Sequence, residues 1–117
     1  VAAPSHLPGE GPFQSAHGSM NHIAINVAAE NFDAYVQRLV DKGVKISRVL
    51  NHDDSPRQAS ETVNETTFVR SVYFCDPDGV CLEFAAWTKD FDERDVAHDP
   101  IRADGTKAAG MVVKNAA

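Results

Sequence analysis

Hydrophobic and polar residues alternate over residues 21–27, which is the pattern of a half-buried β-strand. One face of this strand carries Ile23, Ile25 and Val27, and the other carries His22, Ala24 and Asn26. Over residues 31–42 the apolar positions recur at helical spacing instead, and Gly43 is well placed to end the helix. The apolar stripe of this predicted helix consists of Phe32, Tyr35, Val36, Leu39 and Val40.

Three further segments, residues 44–50, 66–75 and 80–87, predict strands because they are rich in β-branched and aromatic residues. Residues 51–65 have no periodicity, so we expect a long loop of the kind that often has a function. The order strand, helix, strand, strand, strand predicts an α+β domain, with a four-stranded sheet and a helix on one face. Its core is expected to contain Ile23, Ile25, Phe32, Val36, Leu39, Leu82 and Phe84.

The last two predicted strands are joined by a tight turn, Asp76-Pro77-Asp78-Gly79. Proline fixes its own φ, aspartate can bond nearby backbone and glycine tolerates positive φ, so these residue types suit a turn. The second strand of the hairpin contains one carboxylate, Glu83, between Leu82 and Phe84. Because strand side chains alternate, Glu83 lies on the face opposite those apolar residues. We expect it either to face solvent or to point into a cleft and bind a cation, such as a metal ion.

Composition indicates one globular domain that binds neither nucleic acid nor a membrane. The chain has 117 residues, of which 43% are hydrophobic and 24% charged, and its net charge is −6 without a basic cluster. The start shows no export signal, so a cytoplasmic location and reduced cysteines are expected. Residues 1–19 are predicted to be a linker or arm, 20–88 the folded module and 89–117 a tail. Because the chain opens on Val1, we expect the natural protein to be longer.

The sheet face opposite the helix is predicted to be bare, and it carries His22, Asn26, Tyr73 and Glu83. A small unit with one uncovered sheet face is poorly stabilised, so we expect a second unit to cover it. If the first and last strands are neighbours, the imidazole of His22 and the carboxylate of Glu83 converge. These groups suit Fe(II), Mn(II), Ni(II) or Zn(II), although such metals usually take at least three protein ligands. The alternative is a packed histidine and an exposed glutamate.

Residues 21–27, Asn-His-Ile-Ala-Ile-Asn-Val, and the hairpin at 73–84 resemble the vicinal oxygen chelate superfamily. This superfamily includes glyoxalase I, bleomycin-resistance proteins and type I extradiol dioxygenases, and the resemblance covers residues 20–87. It implies a pair of βαβββ modules whose sheets curl around a shared metal site, with His22 and Glu83 as ligands. The Pro/Gly-rich start is similar to an inter-module linker. The chain therefore looks like a C-terminal module, paired with an upstream module or with a homodimer partner.

The hairpin is also similar to the signature of extradiol dioxygenases. The matching residues are Tyr73, Asp76, Pro77, Gly79 and Glu83. This resemblance implies that Tyr73 bonds the substrate, and it favours Fe(II) as the cofactor. The signature also places an acid–base histidine shortly before the tyrosine, where this chain has Asn64, Glu65 and Thr66. A dioxygenase acting on a small substrate with vicinal oxygens is favoured. The alternatives are a glyoxalase-like lyase, isomerase or epimerase, and a metal-free small-molecule binding or resistance protein.

Overall fold

Four strands, one α-helix and a short 3-10 turn make up the regular structure of residues 20–95, which with residue 106 are the part of the chain that the computed structural model describes. The elements are β1 Ile23–Asn26, the 3-10 turn Ala29–Asn31, α1 Phe32–Asp41, β2 Leu50–His52, β3 Val69–Cys75 and β4 Cys81–Trp87. The expected α+β class, with one helix and a four-stranded mixed sheet, is confirmed. The predicted linker at 1–19 and most of the predicted tail lie outside the described residues.

The sheet brings the first and last strands of the domain side by side. The strand order is β1-β4-β3-β2, with β1 parallel to β4 and the other neighbours antiparallel. Ala24 of β1 is aligned with Glu83 of β4, and Glu83 is aligned with Tyr73 of β3. Side chains at aligned positions point to the same face, so this register sets which groups can meet. No helix within residues 20–95 has the length and apolar character needed to cross a membrane.

The β3–β4 hairpin forms as its turn sequence predicts. Gly79 has a φ of +87°, and its backbone N–H donates to the carbonyl oxygen of Asp76. The side chain of Asp76 accepts hydrogen bonds from the backbone N–H groups of Asp78 and Val80. The turn therefore satisfies its own polar backbone and fixes the register of the two long strands.

The hydrophobic core lies between α1 and the β3–β4 part of the sheet. Phe32 and Val72 are fully buried and Ala86 is almost so. The partly buried residues around them are Val36, Leu39, Ile46, Val49 and Phe84. The prediction that Ile23 and Ile25 belong to this core is wrong, since they are 44% and 43% exposed. The helix packs over the middle of the sheet, whereas β1 is an edge strand whose four residues are all exposed.

The second strand begins later than the sequence predicts. Instead of spanning 44–50 it spans Leu50–His52, and only an isolated bridge between Ile46 and Phe74 precedes it. The pairing with β3 is irregular before residue 50, because the side-chain oxygen of Ser47 accepts the Tyr73 N–H while the Ser47 N–H bonds the Tyr73 carbonyl. A side chain thus takes the place of one backbone partner. At its other end β2 extends to His52, so this residue belongs to the sheet and not to the predicted loop.

The segment that follows β2 is held by one buried carboxylate, Asp53. It accepts hydrogen bonds from the backbone and hydroxyl of Ser55, the hydroxyl of Ser60 and the amide of Asn64. These hydrogen bonds, that from the Ser55 hydroxyl first, hold the pKa of Asp53 well below its usual range. The long predicted loop is therefore an ordered segment arranged around a charged acceptor.

Replacing Asp53 with asparagine is expected to lower the thermal unfolding midpoint at neutral pH, since the amide loses charge-assisted hydrogen bonds. A carboxylate whose pKa falls on folding stabilises the native state above its unfolded pKa of about 3.9, and that contribution declines as the pH falls towards the folded pKa. The difference in unfolding midpoint between wild type and Asp53→Asn should therefore become smaller below about pH 4. Thermal melts at several pH values measure this difference, with the exposed Glu61→Gln as control. A difference that does not change with pH would mean that the charge of Asp53 does not stabilise the fold.

Candidate metal site

His22 and Glu83 meet on the sheet face opposite the helix. His22 immediately precedes β1, and Glu83 lies in the middle of the neighbouring strand β4. The distance between His22 Nε2 and Glu83 Oε2 is 2.8 Å. The Glu83 side chain is buried, and that of His22 is partly exposed. The structure therefore brings these two predicted residues together. The alternative expectation, that Glu83 faces solvent, is wrong.

Both ring nitrogens of His22 have an oxygen within hydrogen-bonding distance. The Asn21 side-chain oxygen lies 2.5 Å from Nδ1, and the Glu83 carboxylate lies 2.8 Å from Nε2. Either a ring proton or a metal ion can bridge Nε2 and the carboxylate. A hydrogen bond from Nδ1 to an oxygen is the usual arrangement around a metal-binding histidine.

The spacing of the two donor atoms is that of a direct charge-assisted hydrogen bond. Two ligands of one metal ion, at bonds of about 2.1 Å in tetrahedral geometry, lie about 3.4 Å apart, so a small separation of the two side chains would admit an ion. Within residues 20–95 and residue 106, no group of three or more His, Cys, Asp and Glu side chains could hold a metal ion. In the described structure this chain therefore offers two adjacent ligands, fewer than such metals usually take.

Tyr73 stands beside this pair on the third strand. Its ring meets that of His22 edge-on, with centroids 5.5 Å apart. Burial, together with the charge of the aligned Glu83, raises the pKa of Tyr73 to about 12. The phenol therefore keeps its proton at neutral pH and can donate a hydrogen bond. It lies next to both candidate ligands, where a bound substrate would be within its reach.

His52 is a further polar residue on this face that the sequence analysis missed. Its Nε2 lies 3.5 Å from Tyr73 Oη. The predicted loop began at residue 51 and so excluded His52 from the sheet. The alternation of strand side chains could have indicated its position, because His52 lies two residues beyond Leu50 and therefore shares its face. His22, Glu83, Tyr73 and His52 thus form a polar row that crosses the sheet from β1 to β2.

Small buried side chains occupy the centre of the face that carries the polar row. Val69, Ser71 and Cys81 are all buried there. Because β3 and β4 are the central strands, these small side chains lie among larger neighbours such as Tyr73. The exposed parts are at the margins, where Trp87 is half exposed and β1 forms the edge.

A cavity of about 480 Å³ opens beside Tyr73. Its lining is formed by Lys45, Ile46, Ser47, Tyr73, Phe74, Cys75 and Cys81. Both cysteines are free thiols and are aligned across the hairpin. A larger cavity, of about 660 Å³, lies beside Phe91 and contains no residue of the polar row. Neither of these two cavities is lined by His22 or Glu83.

No model of a known protein family matches the chain, and no solved structure is significantly similar to it. The relationship to the vicinal oxygen chelate superfamily therefore remains a prediction from the motifs at residues 21–27 and 73–84.

Proposed function

We propose that residues 20–88 form a βαβββ module of the vicinal oxygen chelate type, and that it works in a divalent-metal-dependent enzyme. The favoured reaction is dioxygenase-type, on a small substrate with two adjacent oxygens. The observation that carries the proposal is the 2.8 Å approach of His22 Nε2 to Glu83 Oε2 across two neighbouring strands. The element order strand, helix, strand, strand, strand is compatible with such a module.

In this proposal His22 and Glu83 hold the metal ion, and Fe(II) is favoured. A bound divalent ion would supply Lewis-acid activation of adjacent substrate oxygens and, as iron, the chemistry of O₂. Asn21 fixes the orientation of the His22 ring. Tyr73 donates its phenolic proton to a substrate oxygen, which its raised pKa makes possible across the neutral range.

A second βαβββ module completes the site, from an upstream segment or from a second copy of this chain. Two arguments support it. The described residues offer two ligands, whereas the metals concerned usually take three or more. In addition, β1 is an edge strand of the described sheet, and Ile23 and Ile25 are exposed on the face of that strand opposite His22. Exposed apolar residues on a strand edge favour pairing with another chain or segment.

A lyase or isomerase reaction is the second candidate, because the expected acid–base histidine is absent before Tyr73. The side chains found there serve the loop instead, since the Asn64 oxygen accepts hydrogen bonds from the backbone and hydroxyl of Thr66. In that case a carboxylate would move the proton of an enediol-type substrate. A metal-free binding protein is the third candidate, in which His22 and Glu83 are simply an ion pair.

Elemental analysis of the protein, purified without added metal and under exclusion of air, separates these candidates. Iron in stoichiometric amount supports the dioxygenase, whereas nickel or zinc supports the lyase or isomerase. The control is His22→Ala, which removes one candidate ligand. If the wild type contains no more metal than this variant, even after incubation with divalent ions, the metal-dependent function is refuted and the metal-free binder remains.

A further inference from the structure

Cys75 and Cys81 face each other across the β3–β4 hairpin, and the candidate metal site uses neither of them. They are aligned in the register of the two strands, with five residues between them in the chain. Aligned side chains of neighbouring strands point to the same face, so the two sulfurs lie together on the face of the polar row. Both are free thiols in the structure. The sheet therefore holds a dithiol in a fixed place.

The hydrogen-bond pattern of the hairpin sets how close the two cysteines are. The Asp76 N–H donates to the Val80 carbonyl, so these two residues form a hydrogen-bonded pair. Such pairs alternate with non-hydrogen-bonded pairs along an antiparallel ladder, which makes Cys75 and Cys81 a non-hydrogen-bonded pair. The backbone of Tyr73 agrees, because its N–H and carbonyl both bond the segment before β2 and not β4. The Cα atoms of such a pair are about 4.5 Å apart, which lies within the range of about 4.4–6.8 Å that a disulfide spans.

The two sulfurs differ in their access to solvent. Cys75 is exposed, whereas Cys81 is buried, with 6% of its surface accessible. Both residues line the cavity of about 480 Å³, so a small molecule can approach the hairpin from that side. Thiol–disulfide exchange requires an accessible thiol that attacks and a second thiol close enough to displace the adduct. Cys75 meets the first requirement and Cys81 the second.

We propose that Cys75 and Cys81 form a redox site that reacts with small-molecule disulfides, such as oxidised glutathione, and closes reversibly to an intramolecular disulfide. The Cys75 sulfur attacks one sulfur of the reagent and breaks its S–S bond, which forms a mixed disulfide and releases one glutathione as a thiol. The Cys81 sulfur then attacks the sulfur of Cys75 and displaces the second glutathione. The protein loses two electrons and two hydrogens, which end on the two released glutathione thiols.

A disulfide at this place is expected to be easy to reduce. The Cα separation lies at the short end of the allowed range, and departures from the usual geometry strain a disulfide and make it more reducible. The bond would also close a short loop that the turn already holds, and short loops gain the least stability from a cross-link. Tyr73 and Glu83 are the next aligned pair on the same face, so the redox state of the dithiol acts on the two strands that carry them.

The test incubates the folded full chain with oxidised glutathione and follows its intact mass, with Cys75→Ala and Cys81→Ala as matched variants. The wild type should lose the mass of two hydrogens and regain it in excess reduced glutathione. Cys81→Ala should retain one glutathione, because no second thiol displaces the adduct. Cys75→Ala should remain unmodified over the same time, because its remaining thiol is buried.

Three results would overturn the proposal. A wild type that stays unmodified would mean that Cys75 does not react, and a wild type that keeps a glutathione adduct would mean that Cys81 cannot reach it. A disulfide between two copies, seen as a dimer in a non-reducing gel, would mean that the hairpin does not pair the two thiols. His22→Ala should show the same mass changes as the wild type, so the outcome is independent of the proposed metal site.

Discussion

Replacing either His22 or Glu83 with alanine is expected to remove most of the metal from the protein. Each variant loses one of only two ligands that the described residues provide, and Glu83→Ala also removes the buried charge that attracts the cation. Loss of groups that merely support a ligand commonly costs about 10–100-fold in metal affinity, so loss of a ligand itself should cost more. Inductively coupled plasma mass spectrometry of the purified variants measures the occupancy.

The control for this experiment is Glu65→Ala, which removes an exposed glutamate away from the polar row. It should leave the metal content unchanged. Circular dichroism of each variant checks that the fold survives. If folded His22→Ala and Glu83→Ala proteins both retain the metal content of the wild type, these residues are not the ligands.

Replacing Phe32 with alanine should be the most destabilising single change in the core. Phe32 is completely buried against Val72 and Ala86, and the guanidinium of Arg70 lies 4.7 Å from its ring centre. Truncation leaves a cavity and removes the cation–π contact, so the free energy of unfolding should fall by about 3–5 kcal/mol. Urea unfolding curves measure the change.

Two matched substitutions on the same helix set the scale for Phe32→Ala. Leu39 is only partly buried, so Leu39→Ala should cost about 2 kcal/mol, the low end for truncating an aliphatic core residue. Val40 is half exposed, and Val40→Ala should change stability by less than about 0.5 kcal/mol. A loss below about 1 kcal/mol for Phe32→Ala would mean that the helix is not docked on the sheet.

Local signals explain which parts of the fold could be predicted from the sequence. The β3–β4 turn depends on residue types within four positions, and the helix on an apolar stripe that Gly43 ends at a φ of +72°. Alternation alone placed His22 and Glu83 on the faces opposite their apolar neighbours. Their convergence further depends on the adjacency of β1 and β4, which the structure shows.

The misses arose where distant parts of the chain decide the outcome. Ile23 and Ile25 have the pattern of buried residues, but the helix packs over β3 and β4 and leaves the edge strand exposed. The polar residues after His52 predict a loop and so hide the end of β2. The hydrogen bonds of Asp53 also depend on the fold, which brings Ser60 and Asn64 to its carboxylate. The approach of Ser60 and Asn64 to Asp53 has no local sequence signal, whereas the alternation after Leu50 does indicate the place of His52.

The central claim is that this chain is one half of a metal site, and light scattering combined with metal analysis of the same eluted peak tests it most directly. The account predicts an assembly of two modules, either a homodimer or a complex with a second polypeptide. It should contain about one metal ion per pair of modules, because the site lies where the two modules meet. A monodisperse monomer that is active and fully loaded with metal would contradict the account, since His22 and Glu83 would then need no partner.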